Sequence, residues 1–91
     1  MPPITHQSET IRLNEAKIGE RCIVAGVQAS SIATEWDRWL EELGFLPGER
    51  VELMAKGFPG SDPLVVRVGQ STFALRHAEA ACVHVRKESA A

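Results

Sequence analysis

The sequence contains no tyrosine, and its aromatic residues are limited to three Phe and two Trp. Grooves that recognise proline-rich peptides are lined with aromatic rings, so such a groove would have to be built here from few residues. Clusters of basic side chains are also lacking, and the 10 Lys and Arg are outnumbered by 12 Asp and Glu. Because nucleic-acid binding depends on a clustered excess of positive charge, the sequence argues against nucleic acid as a partner.

Long hydrophobic segments are absent as well. The longest stretch without charge runs from Cys22 to Thr34, about 13 residues, and polar side chains interrupt it. A membrane-spanning helix needs about 20 apolar residues, so we expect no direct insertion into a membrane. Residues 1–10 lack the basic start and apolar centre of a secretory signal, which predicts a cytoplasmic protein.

Cysteine is scarce, with Cys22 and Cys82 as its two occurrences. A disulfide between them is conceivable, but the predicted strand phase directs their side chains to opposite faces, and a reducing compartment disfavours the bond. Cys22 is in phase with Val24 on the first predicted strand. It is therefore expected to be a small buried apolar residue.

A chain of 91 residues is expected to form one domain, which we place at residues 11–86. Residues 1–10 and 87–91 are polar and show no periodicity, so they are predicted to be flexible tails. The sequence has no nucleophile elbow, no Ser-His-Asp order and no phosphate-binding glycine loop. An enzyme is therefore not expected.

Apolar residues recur at helical spacing in one segment, which predicts a helix over about residues 32–43. Either Ser31 or Thr34 could cap its start. Elsewhere the apolar residues alternate, which predicts five short strands and a small closed or half-closed antiparallel barrel, a mainly β fold. The strands are predicted around Glu20–Val27, Arg50–Lys56 with Val51, Leu53 and Ala55 inward, Leu64–Val68, Phe73–Leu75 and Val83–Val85.

The end of the helix has the clearest local signal. Gly44 suits the left-handed position that follows a helix, and Phe45 is then expected to fold back on Leu40. Pro47 and Gly48 occupy the second and third positions of a predicted type II turn, which leads into the next strand.

The chain contains a series of motifs, Leu40-x-Glu42-Leu43-Gly44-Phe45-x-Pro47-Gly48-x-x-Val51, then Asp62-Pro63-Leu64, Phe73-Ala-Leu-Arg76 and Val83-x-Val85. In these motifs it resembles the FeoA family of ferrous-iron transport accessory proteins. The resemblance implies a five-stranded SH3-like barrel with one inserted helix. It also implies a small cytoplasmic protein that acts on the cytoplasmic part of the iron transporter FeoB. The same module occurs fused to iron-dependent repressors.

A partner-binding surface is the first candidate site. It comprises Trp39 and the turn residues Leu43, Gly44, Phe45, Leu46, Pro47 and Gly48. Loops on a rigid scaffold often carry function, and tryptophan is enriched at interface centres. The alternative interpretation is that these residues only end the helix and bury it. Acidic residues on the helix could also meet a basic patch on a transporter domain.

A metal site is the second candidate. Cys82 and His84 lie two residues apart on the predicted last strand, hence on one face, and His77 could join them. Thiolate and imidazole are ligands for Zn²⁺ or Fe²⁺, although two ligands alone do not make a site. We expect that the protein does not require a metal cofactor. The functional hypotheses are thus a transporter-binding accessory protein, a metal-responsive domain, or a generic SH3-like adaptor.

Overall fold

A computed structural model describes residues 10–28, 35–57, 60 and 62–88. It contains six strands, two helices and a 3-10 turn at Leu13–Glu15. The strands are β1 (Ile11–Arg12), β2 (Arg21–Val27), β3 (Arg50–Lys56), β4 (Leu64–Val68), β5 (Ser71–Leu75) and β6 (Val83–Lys87), and the helices are α1 (Glu35–Leu43) and α2 (His77–Ala80). All neighbouring strands pair antiparallel in one sheet, in the order β1-β6-β2-β3-β4-β5. The prediction of a mainly β fold with one inserted helix is confirmed.

Alternation of side chains explains why the strands surround a single core. On β4, Leu64, Val66 and Val68 are buried while Arg67 is exposed. The same phase buries Val83 and Val85 on β6. Strands with one apolar face bury that face together, which leaves their polar residues outward.

The sixth strand, β1, was not predicted. It has two residues, and Ile11 pairs with Val85 of β6. A segment this short cannot show alternation, so only the pairing identifies it as a strand. Its partner β6 extends through Lys87, one residue past the predicted end of the domain at residue 86. Thr10 and Glu88 of the predicted tails are also described, and the Glu88 amide donates to the Arg21 carbonyl of β2 (3.0 Å). The other predicted tail residues, 1–9 and 89–91, lie outside the described residues.

The prediction for one core residue is wrong. Ala55 is exposed, because the pairing of β3 with β4 shifts between Leu53 and Ala55. This β-bulge inserts one extra residue, which reverses the inward and outward phase beyond it. Ala55 therefore lies opposite the half-buried Val65.

Helix α1 begins at Glu35 in the described residues, and the predicted earlier positions 32–34 and the caps Ser31 and Thr34 lie outside them. Leu40 is fully buried, and Trp36 and Leu43 pack partly buried against the core. Neither helix of the described chain has the length and apolar composition that crossing a bilayer requires.

Neither cysteine is in a disulfide, and both lie in the hydrophobic core of the described residues. The prediction that Cys22 is buried is confirmed, but the prediction that Cys82 points to the opposite face is wrong. Cys82 lies in the turn between α2 and β6, so the phase of a strand does not govern its direction.

Candidate functional site

The end of α1 is built as the sequence predicts. The Gly44 amide donates to the Glu41 carbonyl (3.0 Å), and the Phe45 amide donates to the Leu40 carbonyl (3.1 Å). With a φ of 119° at Gly44, these two bonds form a Schellman stop, which satisfies carbonyls that the helix leaves open. Leu40 and Phe45 are both fully buried.

The next turn is anchored to the sheet. Glu49 N donates to the Leu46 carbonyl (3.0 Å) and Gly48 has a φ of 93°, as the predicted type II turn requires. The turn also bonds to β2, since Gly48 N donates to the Val24 carbonyl (2.9 Å) and Val24 N donates to the Glu49 carbonyl (2.8 Å). Bonds to the sheet in both directions hold this turn rigidly.

The predicted partner-binding residues divide by exposure. Trp39 is 38% exposed and Leu46 is 45% exposed, with Pro47 and Gly48 also at the surface. Leu43 and Gly44 are half-buried. Phe45 instead lies in the core, where its ring centroid is 6.3 Å from that of Phe73. It therefore supports the surface from inside and offers no contact area of its own.

A shallow acidic groove runs along α1, between this helix and α2. Trp36 and Trp39 contribute to its lining, and Arg38 is its single cation. The carboxylates in its lining are Glu35, Asp37, Glu41, Glu42 and Glu79. Sequence analysis anticipated the acidic helix but not Glu79, which only the tertiary structure brings to the groove.

His77 lies at the first turn of α2 and is exposed. Its amide donates to Oδ1 of Asp62 (2.9 Å), and Nδ2 of Asn14 is 3.5 Å from each ring nitrogen. Asp62 thus ties the loop before β4 to the start of α2. No local signal in the sequence predicts this hydrogen bond, because Asp62 and His77 are 15 residues apart.

The predicted metal ligands do not share a face. Cys82 is nearly buried, and its thiol donates to the Ala78 carbonyl (3.5 Å). His84 lies between the inward Val83 and Val85, so it points outward, and it is half-exposed. Across the described ranges, no three His, Cys, Asp or Glu side chains are grouped so that they could hold a metal ion.

Two shifted pKa values occur at the start of β2. The Lys17 amide, which donates to Oε1 of Glu20 (3.1 Å), lowers the pKa of that carboxyl, and the Lys87 ammonium (3.3 Å from Oε2) lowers it further against the opposing effect of burial. Burial raises the pKa of the Cys22 thiol, and the Glu20 charge adds to this effect. Cys22 therefore stays protonated and unreactive at neutral pH.

Comparison with known proteins gives matches along most of the chain. The FeoA domain model matches residues 11–87. Stenotrophomonas maltophilia FeoA, known from a crystal structure complexed with zinc, is 41% identical in sequence to this chain. That protein is described as an SH3 domain protein possibly acting as a ferrous iron transport activating factor. That match covers 84% of this chain and 89% of the other, with a TM-score of 0.76. No curated protein matches.

Two further solved structures extend the likeness. A FeoA-like protein from Clostridium acetobutylicum is 26% identical, covers 88% of each chain and has a TM-score of 0.75. A manganese-dependent transcriptional repressor is 20% identical over 87% of this chain and 42% of its own, with a TM-score of 0.72, and shares the fold. The predicted SH3-like architecture is confirmed by these matches.

Proposed function

The chain belongs to the FeoA family, and from this premise we propose that it is a cytoplasmic, non-enzymatic accessory protein of ferrous-iron uptake. In this proposal it binds the cytoplasmic part of a FeoB-like transporter and modulates transport. The observation that carries the proposal is the family match over residues 11–87, to which the exposed apolar residues on a rigid turn add a contact surface.

We propose that the contact surface consists of Trp39 and the adjoining Leu46–Gly48 turn. Both Trp39 and Leu46 are large apolar side chains left in solvent, and the bonds to Val24 fix the turn before any partner arrives. A surface that is already ordered loses little conformational entropy on binding, which favours affinity. Large aromatic side chains dominate the energy of many interfaces.

The acidic groove along α1 supports the same surface with charge. Trp39 is part of its lining, so carboxylates and the exposed ring lie together. A basic patch on the transporter domain would complement this groove. Complementary charge raises the association rate, and added salt weakens that effect.

Titration of the transporter's purified cytoplasmic domain into this protein tests the proposal. The double variant Trp39→Ala/Leu46→Ala is expected to bind about 10-fold or more weakly, because two apolar anchors are lost. A matched control is Ile18→Ala/Met54→Ala, which removes two other exposed apolar side chains, 56% and 41% exposed. Equal weakening by both variants, or no binding by the unaltered protein, would contradict the proposal.

The second candidate function is binding of a transition metal such as Zn²⁺ or Fe²⁺, and the zinc complex of the Stenotrophomonas relative favours it. Because the described residues form no complete donor set, we propose that folding requires no metal. Calorimetry with each ion tests the candidate. Saturable binding weakened by His84→Ala and not by the buried Cys82→Ala would support it, while no saturable heat would contradict it.

A further inference from the structure

The outer face of the sheet carries most of the arginines. Alternation with the buried residues of each strand directs their side chains outward, and all of them are exposed. The arginine face comprises Arg12 of β1, Arg86 of β6, Arg21 of β2, Arg50 of β3 and Arg67 of β4. Five of the seven arginines in the sequence therefore lie on one surface.

Strand pairing arranges this surface in rows. Arg21 of β2 lies opposite Glu52 of β3, which lies opposite Arg67 of β4. In the neighbouring row, the half-buried Ile23 lies between Arg86 and Arg50. Residues directly opposite in a sheet have Cβ atoms about 5 Å apart, so each row is a contiguous strip.

The arginines outnumber the carboxylates on this face. Arg50 and Glu88 form an ion pair with Nη2 and Oε2 3.4 Å apart, and the arginine side chain stays 77% exposed. Arg21, Arg67, Glu52 and Glu88 line one shallow cleft together with Arg50. In this cleft three guanidinium groups thus face two carboxylates, whereas the groove along α1 has the opposite charge.

We propose that the arginine face is a second docking surface and that it binds an acidic segment of a partner protein. Among the described residues of this face the cations are arginines and not lysines, and arginine is enriched at protein interfaces while lysine is depleted. Its planar fork binds carboxylates in a bidentate manner, which an ammonium cannot do.

Two further features favour a protein segment over a membrane surface. Ile23 provides an apolar contact between Arg86 and Arg50. Glu52 and Glu88 would repel a uniformly anionic lipid layer, while a peptide can place its carboxylates between them. This inference does not depend on the proposed contact at Trp39 and Leu46, which belong to the helix and turn and not to the sheet face.

Fluorescence anisotropy with a labelled decaglutamate peptide, at low and moderate salt, tests the inference on the full chain. We expect saturable, salt-sensitive binding that Arg21→Gln/Arg67→Gln weakens about 10-fold. The matched control Arg38→Gln/Arg76→Gln has the same net charge, and its two arginines are exposed elsewhere. It should change the affinity by less than about 2-fold.

Three outcomes would overturn the inference. Equal weakening by the two double variants would mean that only net charge matters. Absence of peptide binding would remove the site. Sedimentation with phosphatidylglycerol vesicles, without binding of the peptide, would assign the face to a membrane surface. Circular dichroism of both variants establishes that they fold, which exposed Arg to Gln changes are expected to permit.

Discussion

Gly44 and Gly57 occupy comparable places, one after α1 and one after β3, but the fold needs glycine there for different physical reasons. At Gly44 the φ of 119° is one that L side chains rarely adopt, yet an added Cβ would meet only Cγ1 of Val68 at 3.8 Å. At Gly57 no positive φ occurs, but an added Cβ would lie 2.7 Å from backbone atoms of Asp62 and Pro63. Glycine is thus required at position 44 by its own dihedral angle and at position 57 by the close approach of another backbone segment.

The largest expected effect concerns the side chain that anchors the Gly44 stop. Phe45→Ala should lower the free energy of unfolding by about 3–5 kcal/mol, because it removes a fully buried ring and leaves a cavity. Chemical denaturation measures this. The adjacent Leu46→Ala, at an exposed position, should change stability by less than about 0.5 kcal/mol. Similar losses for the two variants would mean that the stop is held by its backbone bonds alone.

Gly57→Ala is expected to cost about 1–3 kcal/mol, since the new methyl group must displace backbone atoms of Asp62 and Pro63. The same shift should also distort the hydrogen bond that the Gly57 amide donates to the Pro63 carbonyl (2.7 Å). Gly26→Ala is the matched control, because a Cβ there has nothing within 4 Å and Gly26 lacks a positive φ. A Gly57→Ala variant as stable as Gly26→Ala would remove the contrast with Gly44.

Gly44→Ala should cost about 1–2 kcal/mol through backbone strain alone. Gly44→Asn is expected to lose less than the alanine variant, because asparagine tolerates positive φ better. Thermal or chemical unfolding ranks the two. If asparagine and alanine were equally destabilising, space around Gly44 and not its dihedral angle would be the limiting factor, as at Gly57.

The smallest effect concerns a surface contact outside both glycine regions. The pKa of Glu20 is lowered from its ordinary value of 4.5, so its carboxylate stabilises the fold above that pH. This contribution is lost as the pH falls through the lowered pKa of the folded state. Because Lys87 is largely exposed, the contribution should stay below about 1 kcal/mol. Glu20→Gln should flatten the fall of Tm below about pH 4.5, and an unchanged acid slope would contradict this.

The helix stop could be predicted because each of its residues acts locally. Gly44 has a preference for positive φ, and Pro47 and Gly48 match the angles of a type II turn. The shared face predicted for Cys82 and His84 is wrong, although that prediction also concerns only a few neighbouring residues. Cys82 and His84 were placed by strand phase, but the strand begins only at Val83, and so the phase did not apply to Cys82.

The arginine face illustrates the same limit in the sheet. Alternation predicts that Arg21 and Arg67 point outward on their own strands. It does not predict that β3 lies between those strands, which brings both arginines beside Glu52. The sequence therefore does not predict the basic surface, because the arginines are scattered along the chain and meet only across five strands.

By itself the sequence determined the mainly β architecture, the place where α1 ends and the turn that follows, because dihedral preference and side-chain alternation act over a few neighbouring residues. Only the tertiary structure decided the pairing of β1, the bulge that exposes Ala55 and the collision that Gly57 avoids. Each of these depends on the distance between segments far apart in the chain. That distance is set by how the whole sheet packs around its core, and local preferences do not determine it.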